Sequence, residues 1–128
     1  MKKATMKFDH SYVSAKDLDR AIKFYEDLLG RKVSNYEENR WADFDLGEGC
    51  YFGLINPDII SNKRTVGNNS IVAFWSDDVD AVYEKVKMYE DVKIKDEPEN
   101  LDFTDYYYRC FQFYDTEGNL IEVAKYNR

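Results

Sequence analysis

A shift of 61 residues lays the second half of this chain on the first: Asp17 falls on Asp78, Leu18 on Val79, Ala21 on Val82, Ile22 on Tyr83 and Tyr25 on Val86, without a gap. An internal repeat constrains the fold more than composition does, because both halves must then build the same supersecondary unit. The unit is legible in residues 10–30, HSYVSAKDLDRAIKFYEDLLG, which hold the only histidine. Residues 10–14 alternate as a strand does. The period then changes to that of a helix, with Leu18, Ala21, Ile22, Tyr25, Leu28 and Leu29 on one face. Asp17 suits the N-cap, since its carboxylate can accept free N–H groups, and Gly30 suits the stop, since glycine enters the left-handed region at low cost.

Three further strands are predicted in the first half. Residues 31–36 form a short one, and residues 37–39 a polar turn. Residues 40–46, RWADFDL, alternate, with Ala42, Phe44 and Leu46 on one face and Trp41, Asp43 and Asp45 on the other. A GEG turn leads into residues 50–55, CYFGLI. The pattern dissolves over residues 56–69 into proline, glycine, asparagine and charge, which marks a connection. In the second half a strand at 70–75 precedes a helix capped by Asp78 and carrying Val79, Val82, Tyr83 and Val86. A short strand at 92–95, a polar loop at 96–104 containing Pro98, a long aromatic strand at 105–114, a DTEGN turn and a last strand at 120–126 complete the order.

Neither copy alone can bury both faces of a four-stranded sheet. The expected fold is therefore α+β, with two βαβββ modules in tandem. Module one covers about residues 6–56 and module two about 70–126, joined by 57–69, in a single domain spanning 1–128. Each module is expected to carry a mixed four-stranded sheet. Together they are expected to form a curved sheet around a central cleft with the helices outside.

Composition narrows the function. The chain has 18 basic and 25 acidic residues, a net charge of −7, which repels phosphate backbones and anionic lipid and tolerates cationic ligands. Nucleic-acid and membrane partners are disfavoured. The eleven tyrosines and eight phenylalanines exceed the needs of a minimal core, so either a pocket or added sheet packing uses them. Cys50 and Cys110 form no CxxC and are expected to be small core residues with reduced thiols. No N-terminal apolar segment and no run near the ~20 residues of a membrane span is present. The expected location is the cytoplasm.

Residues 10–30 together with FYDTEGNLIEV, residues 113–123, resemble the vicinal oxygen chelate superfamily, which includes glyoxalase I, bleomycin-resistance proteins, extradiol dioxygenases and fosfomycin-modifying thiol transferases. The resemblance runs from His10 to Val123. In metal-using members it implies ligands on the first strand of each module and on the last strand of one or both. His10 and Glu122 stand at two such positions, and Ile71, which cannot donate to a metal, stands at a third. The fourth falls on Gly53 if Gly49 matches Gly118, or on Tyr51 if Gly47 does. His10 and Glu122 alone are fewer than the three protein ligands a catalytic metal usually needs. Asp43, Asp45, Gln112 and Cys110 are candidates for a further ligand.

Strand alternation then supplies the expected ligand-binding face: His10, Tyr12, Ile71, Ala73, Tyr108, Cys110, Gln112 and Glu122, with Phe8, Trp75, Leu120 and Ala124 beside them. Arg109 should point the other way. The leading expectation is a metal-free, cofactor-free small-molecule binding protein of the bleomycin-resistance type, a homodimer by analogy. The alternative is a glyoxalase-like lyase, thiol transferase or dioxygenase-class enzyme with catalytic His10 and Glu122 and a bound zinc, nickel, manganese or iron ion. The second alternative is an interaction domain that retains only the fold.

Overall fold

The computed structural model describes residue 5 and residues 8–59, 71–101 and 107–126. The expected connection over 60–69, the start of the strand expected at 70, the loop end at 102–104 and the strand start at 105–106 lie outside them. The chain divides into two compact units. The first holds β1 (His10–Ser14), α1 (Leu18–Leu29), β2 (Asn35–Glu37), β3 (Trp41–Asp45) and β4 (Tyr51–Ile55), followed by a 3₁₀ turn at Pro57–Ile59. The second holds β5 (Val72–Trp75), α2 (Val79–Val86), β6 (Lys93–Ile94), β7 (Glu99–Asn100), β8 (Arg109–Tyr114) and β9 (Leu120–Lys125).

Within the first unit the strands lie in the order β1-β4-β3-β2, with β1 parallel to β4 and the other neighbours antiparallel. One face carries Ala42, Phe44, Phe52 and Leu54, all buried, and α1 packs there through Leu18, Ala21, Ile22 and Tyr25. The Tyr25 and Phe52 rings meet at 4.8 Å. Phe24 is buried as well, a position the helical stripe did not include; its ring turns edge-on to Tyr25 at 4.9 Å. Asp17 caps α1 through the N–H of Arg20 at 3.1 Å, and Gly30 ends it at φ 68°.

Within the second unit the order is β5-β9-β8-β6, with β5 parallel to β9 and β7 pairing with β8. Phe111, Phe113, Ile121 and Val123 are buried on one face, and α2 packs against β8 and β9 with Val79 and Val86 buried. Asp78 caps α2 through the N–H of Ala81 at 3.0 Å, repeating the device at Asp17.

The expected curved sheet around a central cleft is corrected by this topology. The described strands close into two separate ladders, one of four strands and one of five, and no ladder joins strands of different units. The fifth strand arises inside the stretch read as a loop. β6 pairs only with the end of β8, at Phe113 and Tyr114, and Glu99 and Asn100 fill the remaining edge opposite Cys110 and Arg109. Between them Asp96 bridges the break, its carboxylate accepting the N–H of Gln112 at 2.7 Å. Unpaired backbone groups on a long strand favour such filling even across a proline-containing segment.

Candidate functional site

Each sheet has one face covered by its helix, and strand alternation sends the residues of interest to the other. In the first unit that face carries His10 and Tyr12 of β1, Tyr51 and Gly53 of β4, and Trp41, Asp43 and Asp45 of β3. The register sets Tyr12 beside Gly53 on one side and Asp43 beside it on the other. Three rings gather there. Tyr12 and Trp41 meet edge-on at 5.4 Å, His10 stacks on Tyr12 at 5.6 Å, and His10 meets Trp41 at 5.7 Å and 85°. The His10 Nδ1–H donates to the Asp9 carboxylate at 2.7 Å.

Trp41 is held in place. Its Nε1–H donates to Asp43 Oδ2 at 2.9 Å, while Asn35 Nδ2 donates to Asp43 Oδ1 at 2.8 Å. The indole consequently lies over Gly53, where an added Cβ would come within 2.3 Å of Trp41 Cη2 and 2.6 Å of Cζ2. Sequence reasoning placed Trp41 on this face but gave it no role. A glycine inside a strand, the mark of a close approach, was the available signal.

The second unit repeats the arrangement with different chemistry. Gln112 and Ala73 flank Glu122 in the ladder, as Asp43 and Tyr12 flank Gly53. Ala73 follows Tyr12 by the same 61 residues that relate the halves, so Glu122 corresponds to Gly53, and the alternative at Tyr51 falls away. Glu122 accepts two hydrogen bonds, from Tyr108 Oη at 2.5 Å and from Gln112 Nε2 at 2.9 Å. Tyr108 stacks on Tyr126 at 5.9 Å with the planes 7° apart, and Trp75 donates its indole N–H to the Tyr126 carbonyl at 2.9 Å. Ile71 and Trp75 are 44% and 41% exposed.

Cys110 shares the Glu122 face and is buried. Burial first, then the charges of Glu122, Asp96 and Glu99, push its thiol up to about 11, so it is neutral at physiological pH. Arg109 points to the helix side and makes a two-pronged ion pair with Asp80, at 2.8 and 2.7 Å. That contact lowers the Asp80 carboxyl pKa and raises that of the guanidinium.

The structure brings His10 together with Tyr12, and Glu122 together with Tyr108 and Gln112; these two groups belong to different units. Among the described residues no three His, Cys, Asp or Glu side chains gather as a metal-holding group. Position 71 presents an alkyl chain and position 53 no side chain at all, under an indole ring. This donor chemistry does not suit the metal that the resemblance implies. A depression of about 390 Å³ at the end of α1, lined by Lys23, Glu26, Asp27, Gly30, Arg31 and Lys32, contains none of these side chains.

A helix on one face of a mixed sheet whose first and last strands are parallel neighbours, occurring twice in one chain, defines a tandem βαβββ protein. The sequence profile of the Glyoxalase/Bleomycin resistance protein/Dioxygenase superfamily matches residues 7–123, and the chain belongs to that family. Solved structures share the fold. A glyoxalase/bleomycin resistance protein from Albidiferax ferrireducens T118 superposes with a TM-score of 0.75 at 22% identity, over 92% of this chain and 98% of its own. A lactoylglutathione lyase from Agrobacterium tumefaciens gives 0.73 at 19%, over 95% of each chain. A protein from the mobile metagenome of V. Pseudocholerae gives 0.72 at 25%, over the whole of both chains. No curated protein matches the sequence. Among the described residues no helix is long and apolar enough to cross a membrane.

Proposed function

We propose that this protein binds a small molecule without a metal, holding it against the His10, Tyr12 and Trp41 rings on the open face of the first unit's sheet. The observation that carries the reading is the ring cluster on the face of the first sheet that α1 does not cover, with centroids 5.4 to 5.7 Å apart. Rings fixed in this way offer a preorganised stacking surface, worth about 0.5–1.5 kcal/mol for each aromatic pair beyond the area buried. Asp43 anchors Trp41, so little side-chain entropy remains to be lost on binding. The same anchoring sets an indole where a family-type ligand at position 53 would stand.

A thermal-shift screen of aromatic compounds tests the reading. A ligand at a hundred times its Kd should stabilise the fold by about 2.7 kcal/mol, and Trp41→Ala should lose that gain. The metal-free part is tested by native mass spectrometry after incubation with zinc, nickel, manganese and ferrous iron. No retained equivalent is expected. One equivalent per chain, lost in His10→Ala, would overturn it in favour of the metal-dependent lyase or transferase.

A further inference from the structure

Resting on the small-molecule reading above, we infer that the second unit's open sheet face takes an organic cation, a protonated amine on a flat apolar body, whose ammonium group is met by Glu122. The Glu122 carboxylate receives Tyr108 Oη and Gln112 Nε2, one on each oxygen. Both donors are neutral. They fix the direction of the carboxylate and leave each oxygen a second lone pair, but they do not offset its charge.

No described cation of this unit pairs with Glu122, although Lys93 and Lys95 on the β6 edge share its face of the sheet. Arg109 is committed to Asp80, Lys125 alternates with Glu122's neighbours onto the α2 side, and Lys95 pairs with Asp96 at 3.8 Å. Glu122 therefore has no cationic partner among the described residues. A carboxylate oriented by neutral donors and lacking a counter-charge is suited to receive one from a ligand.

The surroundings supply the remainder of the site. Ala73, the ladder neighbour of Glu122 on β5, is exposed, and Ala124 lies two residues along on β9. The short, exposed Ala73 side chain leaves room beside the carboxylate, while Ala124 is covered. The stacked Tyr108 and Tyr126 rings and the partly exposed Trp75 indole offer π-faces to an ammonium or to the apolar body attached to it. The charge felt by the Cys110 thiol, to which Glu122, Asp96 and Glu99 all contribute, agrees with a negative potential on this face.

The test uses three indoles that differ only in the polar end: tryptamine, tryptophol and indole-3-acetate, titrated calorimetrically into the full chain. Tryptamine is expected to bind about tenfold more tightly than tryptophol, from one charge-assisted hydrogen bond, with indole-3-acetate weakest. Glu122→Gln should abolish the preference. So should Ala73→Lys, which leaves Glu122 intact and supplies an internal ammonium at an exposed position; it serves if the first variant fails to fold. Equal binding of tryptamine and tryptophol, or a preference that survives both substitutions, overturns the inference. Equal binding of all three indoles that Trp41→Ala removes would leave the small-molecule reading standing and the cation inference refuted. Failure of every compound in the thermal-shift screen would remove both.

Discussion

Gly53 shows how one residue can carry the chemistry of a strand. A methyl group there would sit 2.3 Å from Trp41 and 3.1 Å from Tyr12 Cβ, so something must move. Gly53→Ala is expected to cost about 1–3 kcal/mol, the usual range for overpacking a filled site. A lowered urea midpoint with altered tryptophan fluorescence would report the displaced indole, and an unchanged midpoint would contradict this packing. The two thiols also diverge. Cys110 is buried and its ionisation is pushed up to about 11, while Cys50 is half-buried beside the GEG turn. Ellman's reagent at pH 8 should titrate one thiol per native chain and the second only after denaturation; equal rates for both would contradict the burial. Because burial holds the folded value above the ordinary 9.0, this group's contribution to stability is intact below about pH 9 and is lost as the pH rises through about 11.

Elements reveal where local rules were overridden. The two helices start where their aspartate caps predict, and removing the cap in Asp17→Ala should cost about 1 kcal/mol in urea denaturation. The strand expected over 31–36 forms later, at Asn35–Glu37. The Val33 N–H is taken by the Glu26 carboxylate at 3.0 Å, so the end of α1 holds the chain out of the ladder there. The edge strand β7 was read as loop because Pro98 and three neighbouring charges obscure it, whereas the length of β8 is what recruits it. On the helix side, Asp80 and Arg109 tie α2 to β8. The Asp80 side chain is well exposed, so Asp80→Asn should cost no more than about 1 kcal/mol. Its carboxyl pKa is lowered in the folded state. The pair therefore contributes above the unfolded value and is lost as the pH falls through the folded one. Urea midpoints of wild type and Asp80→Asn should accordingly converge below pH 3.8, and a constant gap would rule this linkage out.

Taken over the whole chain, charge sets which partners are admitted. A net of −7 should leave the protein unretained on heparin and unbound to anionic vesicles at low salt, where attraction would be strongest. Retention reversed by salt would point to a local basic surface that the total conceals.

The sequence alone determined the repeat, both helices with their caps, and the inward and outward alternation of β3, β8 and β9. The helices, caps and alternation follow from neighbours within one or two turns of chain, and the repeat from comparing those local patterns at a fixed offset. Tertiary structure decided that the sheets do not join into one curved sheet, that a fifth strand enters the second, the choice of Gly53 over Tyr51 as the counterpart of Glu122, the indole lying on that glycine, and the neutral donors that orient Glu122. Those features depend on ladder register, which pairs residues distant along the chain by backbone hydrogen bonds no local pattern encodes.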